Sequence, residues 1–249
     1  MQNPITIQPV ASARDRKAFV DLAYRLNADD RCWVPPLKMD VHALITPGKN
    51  PWFEHGRAQL FLARRGGNVV GRVSAHIDDI ALSMPAEQGF GPGTGFWGLF
   101  EAEDADVAAA LLDAAAAYLK AAGMHRMLGP VSLAMWDEPG LLIDGFDEAP
   151  SALMGHNRRI YADWLEPIAG VAAQDLINYR LPIAQPFPDI VNRIVALGER
   201  SGRIRIRHVD KSRFEAEANL IITILNDAWS DNWGFTPWTQ GEIDYASKK

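Results

Sequence analysis

The chain opens the same pattern twice, and that repetition limits what it can fold into. Near the N-terminus Ile5-Thr6-Ile7-Gln8-Pro9-Val10 is followed by a polar stretch with Arg14, an apolar-periodic run ending at Leu26-Asn27, and then Trp33. Far downstream Ile204-Arg205-Ile206-Arg207-His208-Val209 is followed by Arg213, a run ending at Leu225-Asn226, and then Trp233. Overlaid without a gap, Ile5, Ile7, Val10, Arg14, Leu26 and Asn27 match Ile204, Ile206, Val209, Arg213, Leu225 and Asn226. Self-similarity of this kind predicts two copies of one structural unit. The second copy stops at Lys249, short of a domain. It is therefore expected either to be part of a longer unit or to be an appendage of the first.

Composition narrows the class. A length of 249 residues allows one large domain or two small ones, at about 100–200 residues per domain. A hydrophobic share of 48% and a charged share of 22% are those of a globular protein. The net charge of −6 argues against a general nucleic-acid or anionic-membrane surface. Cys32 is the single cysteine, so there is no intrachain disulfide and no multi-cysteine metal site. With no signal-like segment after Met1 and no apolar run near the ~20 residues of a membrane span, a cytoplasmic location is expected.

Local patterns give an element order. Residues 5–10 alternate as a strand, and Ser12 or Asp15 can cap a helix whose face is Phe19, Leu22, Ala23 and Leu26. Residues 38–58 read as a long irregular connection. Residues 59–64 and 69–77 read as strands around a Gly66-Gly67-Asn68 turn. A loop over 78–95 leads to a short aromatic strand, Phe96 to Phe100. Asp104 or Asp106 can cap the Ala- and Leu-rich helix Val107 to Ala122, with Gly123 after it. Arg126 to Leu133 reads as a strand interrupted by Gly129-Pro130. Asn157 is expected to cap a helix through Leu165 that ends near Gly170. Asp175 to Leu181 is expected to be a last strand, followed by an amphipathic helix with Ile190, Ile194 and Leu197 on one side. The fold class is mixed α/β, with helices on both faces of a twisted sheet.

This order, together with Trp33-Val34-Pro35-Pro36-Leu37, Asn50-Pro51-Trp52-Phe53-Glu54-His55, Val70-Gly71-Arg72-Val73-Ser74-Ala75, Gly95 to Glu101, Gly140 to Asp147, and His156-Asn157 with Tyr161, resembles the GNAT acyltransferase superfamily. Closest in appearance is a bacterial subgroup with GNAT-like units in tandem. The resemblance implies a GNAT-like acyltransferase domain over 1–183, a connecting helix over 184–202, and the truncated start of a second unit over 203–249. It also implies an acyl-CoA-dependent N-acyltransferase, with acetyl-CoA or another acyl-CoA as co-substrate, a small-molecule amine as acceptor and no metal. Pairing of two copies through the second unit is left open.

In the GNAT fold the strand like 96–100 splays from the strand like 126–133, and the acyl donor enters the gap. Its pyrophosphate sits on free N–H groups at the start of the next helix, where unpaired donors and a positive dipole end meet. The coenzyme-binding positions implied here are Leu99, Phe100, Glu101, Ala105, Asp106, Val107 and Asn157. Where the family has a glycine-bearing turn, this chain has Glu101-Ala102-Glu103-Asp104-Ala105-Asp106. Such carboxylates repel a pyrophosphate, but they are also the ordinary choice at a helix start. Glu138 falls at the end of the splayed strand as a general base or amine-binding carboxylate. Tyr161 or His156 is the implied proton donor to the leaving thiolate, although Tyr161 lies more than a turn before the family's position. The acidic 101–106 stretch favours an alternative: a catalytically silent GNAT-like module that binds a ligand or a partner chain.

Other motifs carry less. Gly93-Thr94-Gly95-Phe96-Trp97-Gly98 matches a dinucleotide fingerprint in letters, but a Pro-Gly loop precedes it and an aromatic strand follows, against what that fingerprint needs. His55 and His156 sit in predicted loops, where a histidine can serve as a base near neutral pH or simply make a hydrogen bond.

Overall fold

A computed structural model describes residues 3–182, 184–202 and 207–247. Five strands among them form one sheet in the order β1-β2-β3-β4-β5. β1 (Ile5–Pro9) leads into helix α1 (Ala13–Leu26), whose N-terminus is closed by a capping box between Ser12 and Asp15. The stretch expected to be irregular holds a short helix, α2 (Lys38–Leu44), and a 3-10 turn, Pro51–Glu54, capped by Asn50. β2 (Gly56–Arg65) and β3 (Asn68–Asp78) form the expected hairpin, its turn made possible by Gly66 and Gly67 at φ 55° and 86°. A short helix α3 (Asp79–Ser83) and a 3-10 turn, Ala86–Gln88, precede β4 (Thr94–Ala102).

The three pairings from β1 to β4 are antiparallel. Helix α4 (Ala105–Ala121) then crosses to β5 (Arg126–Leu128), which pairs parallel to β4. The pleat of β2 divides the core, because successive side chains face opposite ways. Ala63, with Val73, Ala75 and Ile77 of β3, packs under Val107, Leu111 and Ala115 of α4. Leu60 and Leu62 pack on the other face, against Phe19 and Val20 of α1. The fold is therefore mixed α/β, and as far as β5 its strands follow the order that the GNAT resemblance implies.

The feature that positions the site is the parting of β4 from β5. They pair over only three residues each, Thr94–Phe96 with Arg126–Leu128, so the expected strand to Leu133 is cut short. A cis Gly129-Pro130 bond follows, and one more contact, the Val131 N–H to the Trp97 carbonyl at 2.8 Å, holds the chain to β4. Gly98 is required there, since a Cβ would sit 1.6 Å from the Val131 carbonyl oxygen. Beyond it, 130–140 closes a loop through a Gly140 N–H to Pro130 carbonyl bond of 2.8 Å. On its other side β4 bulges against β3: Gly98 faces Ser74 and Glu101 faces Arg72, so two residues oppose one and Leu99 takes φ 47°.

Helix α5 (Ile160–Ala169) ends at Gly170 as expected, but Asn157 does not cap it. Its carboxamide instead bridges Leu142, accepting from that N–H at 2.7 Å, because the helix starts three residues later. The expected strand Asp175 to Leu181 has no regular structure. Strand-forming residues alone do not make a strand; it forms only where pairing and packing partners take it up. Helix α6 (Asp189–Ser201) follows with no buried residue. Ile204 and Ile206, which open the second copy of the pattern, lie outside the described residues, and 207–210 are irregular. A 3-10 turn, Lys211–Arg213, leads into α7 (Phe214–Ala228), and α8 (Gln240–Ala246) closes the described chain.

The end of the described chain returns to the first unit. Trp136 stacks on Trp229, with centroids 5.6 Å apart, and donates from Nε1 to the Thr236 carbonyl at 3.1 Å. His55 lies between Asp78 (3.1 Å) and Glu242 (3.3 Å), joining the end of β3 to α8.

Candidate active site

A cavity of about 100 Å³ opens where β4 and β5 part. Its walls come from the segment after α1, the bulge of β4, the 130–141 loop, and residues 154–161. Glu138, His156 and Tyr161, the three expected catalytic residues, all line it. So do Leu99, Phe100, Glu101 and Asn157 from the expected coenzyme contacts, whereas Ala105, Asp106 and Val107 are not among its walls.

Two of these residues stand in an unexpected setting. Glu101 was expected in the acidic 101–106 stretch after the strand, but β4 runs through it and its side chain is buried. It accepts from Asn27 Nδ2 at 3.0 Å and from the Tyr161 hydroxyl at 2.6 Å, with Arg72 3.8 Å away. Burial pushes the Glu101 carboxyl up, while Arg72 and the two hydrogen bonds oppose the shift. Tyr161 is 1% exposed and also accepts from the Ala102 N–H at 3.1 Å. Its hydroxyl is pushed well above the usual phenol range by burial and by the neighbouring Glu101. A hydroxyl so fixed closes the unpaired edge of β4 and is already engaged with Glu101.

Glu138 is held in the left-handed region, at φ 45°, by the loop that leaves β5. Burial raises its carboxyl, Arg72 lowers it, and Glu101 adds to the rise. Arg72 itself is buried, donates to the Phe19 carbonyl at 2.9 Å, and has an unpartnered Nε. Burial lowers its guanidinium, against the pull of Glu101 and Glu138. The buried Arg72 thus stands with two carboxylates, of which Glu101 also feels Arg158, whose guanidinium donates to the Ala102 carbonyl at 3.1 Å.

His156 is fixed by a residue that the sequence did not mark. Its Nε2 lies 2.9 Å from Asp30 Oδ2. The other oxygen of Asp30 accepts from the N–H groups of Cys32 (2.9 Å) and Trp33 (3.3 Å). Burial opposes the charge on Asp30, but the Cys32 N–H and His156 outweigh it and hold the carboxyl below its usual range. Asp30 had only a turn signal in the sequence. Arg72 had a stronger one, a charge inside an apolar strand.

The N-terminus of α4, where the resemblance places a pyrophosphate, is already filled. Asp104 Oδ1 accepts from the Val107 N–H at 3.0 Å, and Arg65 clamps the same carboxylate at 2.5 and 3.3 Å. The Arg65 bond, opposed by desolvation, holds Asp104 below the usual range. Glu103 is taken by Arg25 at 2.7 Å. The protein's own carboxylate occupies the anion seat, so a diphosphate does not fit there. Among the described residues no group of three His, Cys, Asp or Glu is placed to hold a metal ion, and no helix is long and apolar enough to cross a membrane.

No family model matches the chain. Over 245 residues, 98% of its length, it is 41% identical to the bacterial ceramide synthase of Caulobacter vibrioides. Over 249 residues it is 33% identical to protein YghO of Escherichia coli K12. A solved structure, AAC(6')-Iy in complex with the bisubstrate analogue CoA-S-monomethyl-acetylneamine, is 14% identical at a TM-score of 0.45, covering 72% of this chain and 99% of that one. The chain spans 62% of the length of each of the two curated relatives.

Proposed function

We propose that this chain serves N-acyl transfer from a thioester such as an acyl-CoA to the amine of a long-chain amino alcohol. The carrying observation is the convergence of Glu138, Arg72 and an Asp30-backed His156 on the cavity where β4 leaves β5. A ceramide is the amide of a fatty acid with a long-chain amino alcohol, and the likeness to a ceramide synthase over 98% of the chain supports that acceptor class. At about 30 Å³ per water, a cavity of about 100 Å³ suits a polar head rather than a chain.

In this reading Glu138 holds the ammonium and takes its first proton, a role suited to a carboxyl raised by burial. Backbone donors at the Leu99–Glu101 bulge stabilise charge on the carbonyl oxygen. His156, rather than the engaged Tyr161, returns a proton to sulfur. The donor is a substrate, and its diphosphate is not seated at α4, so no step relies on that contact. Residues 203–249 form the opening of a second unit, supported by the match of α7 to α1. The test is mass spectrometry of the amide formed from sphinganine and palmitoyl-CoA. Amide above the protein-free background supports the reading, and its absence at any donor concentration removes it.

Asp104 favours a second reading, a GNAT-like module that binds a ligand or partner without turnover. Calorimetry with sphinganine separates the two: binding without amide formation selects the second.

A further inference from the structure

A neutral imidazole has one N–H and one lone pair, and the hydrogen bond made by one nitrogen decides the state of the other. His156 is a ring with a 2% exposed side chain, so water does not decide its tautomer. Its Nε2 faces Asp30 Oδ2 at 2.9 Å, and an ionised carboxylate only accepts. Asp30 cannot swing away, since its other oxygen holds the Cys32 and Trp33 N–H groups at 2.9 and 3.3 Å. The edge of Phe146, with its centroid 6.3 Å off, packs against the ring. The charged groups sharing the cavity with His156 are Glu138, Glu101 and Arg72.

We infer that Asp30 is a positioning residue that fixes His156 as the Nε2–H tautomer, leaving Nδ1 as the nitrogen that moves protons in the cavity. The tautomer rests on geometry alone; its chemical use rests on the N-acyl-transfer reading. The nitrogen lone pair of the acceptor amine forms a bond to the thioester carbonyl carbon. Its surplus proton passes to His156 Nδ1. The C–S bond breaks with its electron pair on sulfur, and the imidazolium returns the proton from Nδ1 to that sulfur. The products are an amide and a thiol, and His156 is neutral again.

The substitution Asp30→Asn tests this by inverting the dyad. Its carbonyl oxygen stays with the Cys32 and Trp33 N–H groups, so its NH₂ turns to Nε2 and forces the proton onto Nδ1. Long-range ¹H–¹⁵N spectra of histidine-labelled protein read the tautomer without any substrate. The expected result is Nε2–H in the wild type and Nδ1–H in Asp30→Asn. The same tautomer in both, or Nδ1–H in the wild type, overturns the inference. If Asp30→Asn does not fold, the wild-type spectrum alone decides. In the amide assay kcat should fall about 10²- to 10⁴-fold with KM little changed, as expected for a wrong tautomer. An unchanged kcat overturns the catalytic use of Nδ1. A tautomer that inverts while the wild type makes no amide upholds the positioning role and removes the N-acyl-transfer reading instead.

Discussion

Helices α1 and α7 occupy matching places in the repeated pattern, yet only one of them is covered. Leu22 of α1 is 2% exposed; Ile221, its counterpart in the overlay, is 50% exposed. α1 lies on the β2 face through Phe19 and Val20, whereas the neighbour of α7 is α8. An amphipathic pattern states which face of a helix is to be buried, and only a packing partner makes the burial happen. Phe214, Leu220 and Ile224 leave the apolar face of α7 exposed, whereas that of α1 is buried.

The largest test of this contrast is a pair of truncations. Phe19→Ala should cost about 3–5 kcal/mol of stability in urea denaturation, because it empties a packed site, while Ile221→Ala should cost under ~1 kcal/mol. Equal costs would break the comparison. Trp136→Ala probes where the second region is held. It removes contacts to Trp229, Phe235 and Trp238 at 5.6, 5.3 and 5.6 Å, and should cost about 2–3 kcal/mol. Limited proteolysis should then cut within 229–246 before it cuts the sheet.

A smaller, pH-dependent effect comes from the clamp between β3 and α8. His55 is raised from 6.5 to about 10: burial lowers it, but the hydrogen bonds of Asp78 and Glu242 win. A group whose folded pKa is raised binds its proton more tightly when folded, so its contribution is complete below pH 6.5 and fades as pH rises toward 10. Melting curves at pH 6 and pH 9.5 should differ more for the wild type than for His55→Gln; equal differences would exclude the clamp. Smallest of all is Ile194→Lys on the exposed face of α6, expected to change stability by less than ~0.5 kcal/mol.

Much of the sheet was legible in the sequence. The Gly66-Gly67 hairpin, the Ala-rich α4 with its Asp104 cap, and the amphipathic α1 each follow from local chemistry. The site was legible only in part. Glu138 and His156 reach one cavity as the resemblance implies, but their supports come from distant segments. Asp30 meets His156 only because the end of α1 and the loop before α5 border the same opening, a juxtaposition no local pattern records. Glu101 shows a related limit: the aromatic strand was expected to end at Phe100, and the continuation of β4 through Ala102 turns this carboxylate inward toward Arg72 and Tyr161. Asp175–Leu181 shows the reverse case, a strand-like string that pairs with no strand of the sheet.

The most direct test of the central claim is calorimetric titration of sphinganine into the wild type and into Glu138→Gln. Saturable binding by the wild type that weakens at least about tenfold on losing the buried carboxylate, a change of ~1.4 kcal/mol, is the predicted result. Equal affinity in the two proteins would show that the opening between β4 and β5 is not where an amine is held.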